Sequence, residues 1–236
     1  MSNLKDLVEE MDQLSNPEKA KHLSRFFKTG KGEYGEGDVF IGLVVPQQRQ
    51  LSKKYIDLSL KDLQTLLSSK IHEQRLVALM ILVLKSAKAK EKEEKEIVDF
   101  YLKNTKKINN WDLVDLSCHH ILGKYFFNKD RKIFYKLARS KNLWEKRISV
   151  ISTFDFIRNN QFEDGLKIAE ILLYDKHDLI HKAVGWMLRE VGKRDQKVEE
   201  EFLKKHYKTM PRTMLRYAIE KFPEPKRQSY LKKSAT

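Results

Sequence analysis

Trp144-Glu145-Lys146-Arg147-Ile148-Ser149-Val150-Ile151 is one copy of a block that recurs along the chain. It returns as His72-Glu73-Gln74-Arg75-Leu76-Val77-Ala78-Leu79, as Leu179-Ile180-His181-Lys182-Ala183-Val184-Gly185-Trp186, and as Thr213-Met214-Leu215-Arg216-Tyr217-Ala218-Ile219. Each copy sets one basic residue just ahead of an apolar stretch with helical spacing. A fifth copy, Trp111-Asp112-Leu113-Val114-Asp115, aligns with Trp144 to Ile148. The aligned positions 75, 114, 147, 182 and 216 are 39, 33, 35 and 34 residues apart, and each interval holds two helices with their turns. This is the footprint of stacked helical hairpins, and it makes the fold class all-α.

Outward from these blocks the chain remains permissive for helix. Nine glycines and five prolines punctuate 236 residues, and five of the glycines fall between Gly30 and Gly42. The only strand candidate, Asp38 to Val45, is short, interrupted by glycine and stopped by Pro46. Asn16 followed by Pro17 opens one helix, Pro46 opens another, and Ser59 with Asp62 reads as a capping box. The chain therefore reads as a single domain: N-terminal helices and a glycine-rich loop in 1–70, regular helical repeats in 71–236.

Charge points to the partner. Lysine and arginine number 47 against 33 acids, a net charge of +14, which favours polyanions. In a repeat array each unit is rotated on the last, so the aligned helices line one wall, and Arg75, Arg147, Lys182 and Arg216 would form a basic track along it. Such a track meets a duplex backbone without reading its sequence. The longest apolar run, Leu76 to Leu84, falls short of the roughly 20 residues that span a bilayer. With no signal-peptide core after Met1 and a single cysteine, Cys118, the expected setting is cytoplasmic and nucleoid-associated, without membrane contact.

Several motifs fail their own requirements. Gly30-Lys31-Gly32-Glu33-Tyr34-Gly35 satisfies the spacing of a dinucleotide loop, but a helix precedes it and the acids Glu33, Glu36 and Asp38 surround it. His72-Glu73 lacks the second histidine of a zinc helix. Cys118-His119-His120 puts neighbours about 100° apart on a helix, where they cannot grip one ion. No metal or organic cofactor is expected.

The segment Asn109-Asn110-Trp111-Asp112-Leu113-Val114-Asp115-Leu116 differs. Either asparagine can cap a helix on which Trp111 and Asp115, four residues apart, share a face. An aromatic plane then stands beside a carboxylate, and Val114 breaks the basic consensus mid-array. Trp144, by contrast, is expected in the core.

At these residues the sequence resembles the bacterial DNA alkylation repair family, the AlkD-type glycosylases. The similarity runs from Asn16-Pro17-Glu18-Lys19-Ala20, through Gly42 to Pro46 with Arg49, to Trp111–Asp115, Trp144–Arg147 and Lys182–Glu190. The resemblance implies a right-handed superhelix of HEAT-like hairpins and a monofunctional glycosylase that releases N3- and N7-alkylated purines from duplex DNA. A curved wall wrapping duplex DNA needs no partner, so a monomer with no obligate protein partner is expected. The resemblance also implies lesion-side roles for Trp111, Asp115 and Trp186, and a DNA-backbone contact from Arg147; Lys182, Arg75, Arg189 and Arg216 are the further basic candidates for DNA contact. Phe26 stands where relatives can carry a DNA-contacting tyrosine, so this chain brings the ring without the hydroxyl.

Alkylation at N3 or N7 makes the purine cationic, so it leaves as a neutral base. What remains is to oppose the oxocarbenium-like sugar and orient water, which one carboxylate at Asp115 can do. The expected geometry is an open groove acting on the lesion without a deep base pocket. The alternatives are a catalytically silent DNA-binding array, which would bind duplex and release nothing, and a protein-interaction scaffold, for which duplex would be a poor ligand.

Overall fold

The computed structural model describes residues 3–232. Among them the chain is all-helical, and the only β-type pairing is an isolated parallel bridge between Val39 and Ile71. The strand candidate from Asp38 to Val45 shrinks to that bridge, because its glycine turns before it can extend. The described residues fall into two compact units, the first ending at Ile121 and the second beginning at Leu122.

In the first unit, α1 (Leu4–Gln13) and α2 (Pro17–Phe26) precede the glycine-rich loop, and α3 (Val45–Lys54) and α4 (Leu60–Leu67) follow it. Asn16 caps α2 by accepting from Lys19 N at 2.9 Å, with Pro17 in the first turn. Ser59 and Asp62 exchange hydrogen bonds as a capping box, Ser59 N to Asp62 Oδ2 at 3.0 Å and Asp62 N to Ser59 Oγ at 3.2 Å. The central element is α5 (His72–Lys88), against which α3, α4, α6 (Glu91–Lys103) and α7 (Trp111–Asp115) pack. Every residue of α5 from His72 to Leu82 is buried, so it has no solvent face over its first three turns.

The second unit repeats this plan around α12 (Asp178–Arg194), which like α5 has 17 residues. Packed on it are α9 (Leu143–Ser152), α10 (Phe154–Arg158), α11 (Glu163–Ile171), α13 (Gln196–His206) and α14 (Arg212–Ala218). Two further helices, α8 (Lys132–Ala138) and α15 (Glu224–Leu231), complete it. Gly185 lets α12 and α14 approach closely, since a Cβ there would overlap the Met214 carbonyl oxygen. All five recurring blocks open helices, namely α5, α7, α9, α12 and α14. Trp144 is in the core at 7% exposure, and Cys118 is fully buried.

Candidate active site

The first unit contains a cleft of about 430 Å³ between α2, α3, α5 and α7. Its walls are mainly apolar and aromatic, from Phe26, Phe27, Phe40 and Trp111, and Asp115 is among the few carboxylates that reach it. Trp111 and Asp115 thus share one cleft, as their spacing on α7 requires. Asn110 caps that helix, its side chain accepting from Trp111 N at 2.8 Å. Phe27 stacks on the indole at 5.1 Å between centroids, Phe26 meets it nearly edge-on at 5.9 Å, and its Nε1 donates to the Tyr34 hydroxyl at 3.3 Å. Phe26 is 57% exposed, so its ring is presented to solvent at the cleft's mouth.

Tyr34 belongs to the glycine-rich loop, which closes on itself. The carboxylate of Glu33 accepts from Gly30 N and that of Glu36 from Gly32 N, each at 2.8 Å. Those acids occupy the amides that a bound phosphate would need, and the loop instead delivers a tyrosine to Trp111. The far end of the loop is tied down at Gly42, whose φ of +89° suits glycine and where a Cβ would overlap the Asn16 carbonyl oxygen. Its amide and that of Ile41 both donate to the buried Glu73 carboxylate, at 2.8 and 3.1 Å.

Beneath the cleft floor lies a buried polar cluster. Asp38 and Asp112 flank the His72 ring, and Arg75 pairs with Asp38 at 2.6 Å. Burial disfavours the Asp38 carboxylate, but hydrogen bonding from His72 and the charge of Arg75 outweigh it and leave its pKa lowered. Phe40 stacks on the His72 ring at 4.5 Å, and Phe27 lies at 5.0 Å.

The remaining site residues named by the sequence lie in the second unit. Trp186, on α12, is half-buried, 5.8 Å from the Phe154 ring, with its Nε1 donating to Glu190 Oε1 at 3.1 Å. Lys182 pairs with Asp178 at 2.7 Å, Arg189 pairs with Glu220, and Arg216 is exposed. Two members of the expected basic track are not solvent-facing. Arg75 and Arg147 are 4% and 5% exposed. The guanidinium of each donates to a backbone carbonyl, Arg75 to Ser69 O at 2.9 Å and Arg147 to Leu179 O at 2.6 Å, so the block's basic position turns inward to hold the chain at these two repeats.

A family model for DNA alkylation repair enzymes matches residues 7–222. The chain belongs to the DNA alkylation repair enzyme family. Solved structures share its fold. One is a predicted DNA alkylation repair enzyme from Enterococcus faecalis, with a TM-score of 0.71 at 18% identity over 89% of this chain and 97% of that one. Another is AlkD2 from Streptococcus mutans, with a TM-score of 0.56 at 17% identity over 90% of this chain and 98% of that one. No curated protein matches the sequence.

In this DNA alkylation repair protein, the shared face of Trp111 and Asp115 and the repeat helices could be read from the sequence. Tyr34, Phe27 and Phe40 could not, since they reach Trp111 and His72 only through the loop's path. Nor could the alliance of Asp38, His72 and Asp112, whose members lie 34 and 40 residues apart in the chain. Among the described residues no helix is long and apolar enough to cross a membrane.

Proposed function

We propose that this protein is a DNA glycosylase that hydrolyses the N-glycosidic bond of cationic N3- and N7-alkylated purines in duplex DNA. The observation that carries the reading is the joint presence of Asp115 and Trp111 in one aromatic cleft, in a chain of the DNA alkylation repair family. Asp115 is the catalytic carboxylate. It opposes the positive charge that grows on the deoxyribose as the bond lengthens, and it orients and deprotonates the incoming water. The alkylated purine departs neutral, taking the bonding electron pair, so no general acid is needed.

Two unit charges at about 4 Å with an effective dielectric near 20 interact by roughly 4 kcal/mol, on the order of a thousandfold in rate when realised only in the transition state. The indole of Trp111, in the same cleft as Asp115, attracts the cationic lesion by roughly 0.5 to 2 kcal/mol. Phe26 supplies an apolar contact at the duplex surface, and Lys182, Arg189 and Arg216 supply phosphate contacts. Arg75 supports the site from within through its pairing with Asp38. No resident cofactor is invoked, and the protein acts as a monomer.

The test is single-turnover release of N7-methylguanine and N3-methyladenine from methylated duplex by wild type and Asp115→Asn. Release by wild type, with a loss of at least about a hundredfold in the variant and duplex binding retained, is the expected result. A folded wild type that binds duplex but releases neither base would leave a silent DNA-binding array instead.

A further inference from the structure

His72 is the first residue of α5 and is 1% exposed. Its Nδ1 lies 3.0 Å from Asp38 Oδ2 and its Nε2 lies 2.8 Å from Asp112 Oδ2. Each carboxylate is engaged through its other oxygen: Asp38 Oδ1 by the Arg75 guanidinium at 2.6 Å, and Asp112 Oδ1 by Leu113 N at 2.8 Å. A carboxylate only accepts, and a neutral imidazole carries a single N–H, so both bonds at once require the doubly protonated ring.

The other end of this cluster is the catalytic helix. With five residues, α7 is too short to hold its own direction, so its orientation comes from anchors. One is Asp112, the residue after Trp111, bonded to His72. The other is the capping Asn110, whose Nδ2 donates to Asp38 Oδ2 at 3.4 Å. Both anchors end on the two carboxylates that the His72 ring bridges.

We propose that His72 is a positioning residue that, as a buried imidazolium bridging Asp38 and Asp112, sets the direction of α7 and thereby holds Trp111 and Asp115 in their working arrangement. The catalytic half of this inference rests on the glycosylase reading of Asp115. Removing one ring proton leaves a nitrogen lone pair facing a carboxylate, so one bond becomes a repulsion and α7 loosens. The charged groups around the ring are Asp112 from α7, Asp38 from the loop, and Arg75 and Glu73 from α5. Arg75 Nη2 stands 3.5 Å from Nδ1 and opposes the imidazolium, while Glu73 is occupied by the Ile41 and Gly42 amides. Burial also opposes the charge, yet Asp112 and Asp38 outweigh both and push the His72 pKa up to about 9.

The experiment titrates the full chain between pH 6 and 9.5, with the His72 ring followed by ¹⁵N NMR, assigned by comparison with His72→Gln. Fluorotryptophan ¹⁹F NMR follows Trp111, assigned by comparison with Trp111→Phe. Single-turnover base release is measured in parallel. Two protonated ring nitrogens at pH 7.5 are expected, with the Trp111 resonance moving as the ring titrates and release falling at least tenfold over the same interval. In Asp38→Asn, which removes one of the two bridged charges, all three transitions should shift together to lower pH. In His72→Gln the Trp111 transition should vanish, with release lowered at every pH.

A singly protonated ring at pH 7.5 overturns the proposal, as does a Trp111 resonance indifferent to the His72 titration. Should His72→Gln fail to fold, the wild type and Asp38→Asn decide the matter. Should wild type release no base at any pH, the glycosylase reading fails, while the two NMR titrations still decide whether His72 positions α7.

Discussion

At the scale of single residues, the carboxylates divide by what faces them. Asp115 lines an apolar cleft, Asp112 and Asp38 are committed to His72, and Glu73 accepts the amides of Ile41 and Gly42. Replacing Glu73 by alanine strands the buried Gly42 N–H and the part-buried Ile41 N–H, so Glu73→Ala should lower unfolding stability by about 2 to 4 kcal/mol in urea titration, with Glu73→Gln losing less because its amide oxygen still accepts. Tyr34→Phe removes the acceptor of the Trp111 Nε1 proton. It should cost about 1 kcal/mol by the same measurement and broaden the Trp111 fluorotryptophan resonance while leaving Trp144 unchanged.

At the scale of elements, the repeat blocks were legible because helix starts, proline positions and apolar spacing are local properties. Asn16 with Pro17, Ser59 with Asp62, and the five block-opening helices all follow from residues within one or two turns of each other. The inward turn of Arg75 and Arg147 was not legible, because each guanidinium has a partner that only tertiary packing brings within reach, the Asp38 carboxylate for Arg75 and the carbonyl of Leu179, 32 residues away, for Arg147. The same holds for Asp38 and Asp112, which meet at His72 from 34 and 40 residues away. Element packing also makes its own prediction. Gly185→Ala would force α12 and α14 apart, and should destabilise the protein by about 1 to 3 kcal/mol in thermal or urea unfolding.

At the scale of the whole molecule, two buried groups act on stability in the same direction. The folded His72 value of about 9 lies above its ordinary 6.5, so its contribution is complete below pH 6.5 and is lost as pH rises through 9. Glu199 is 1% exposed, packed against Gly192, and burial followed by the charge of Glu200 raises it from 4.5 to about 9 despite Arg189. The folded chain therefore keeps a proton that the unfolded chain releases, and stability falls from about pH 4.5 upward until 9. The melting temperature should decline between pH 6.5 and 9. Glu199→Gln should flatten that decline and gain on the order of 2 kcal/mol at pH 8, with the His72 part of the slope remaining.

The complete burial of Cys118 has a practical consequence. As the chain's one thiol, sealed inside the first unit, it should give little background with maleimide dyes under native conditions. Cysteines introduced at exposed positions such as Glu9 in the first unit and Tyr174 in the second would then carry a donor and an acceptor fluorophore. Energy transfer between them would read the separation of the two units, molecule by molecule, before and after a damaged duplex is added.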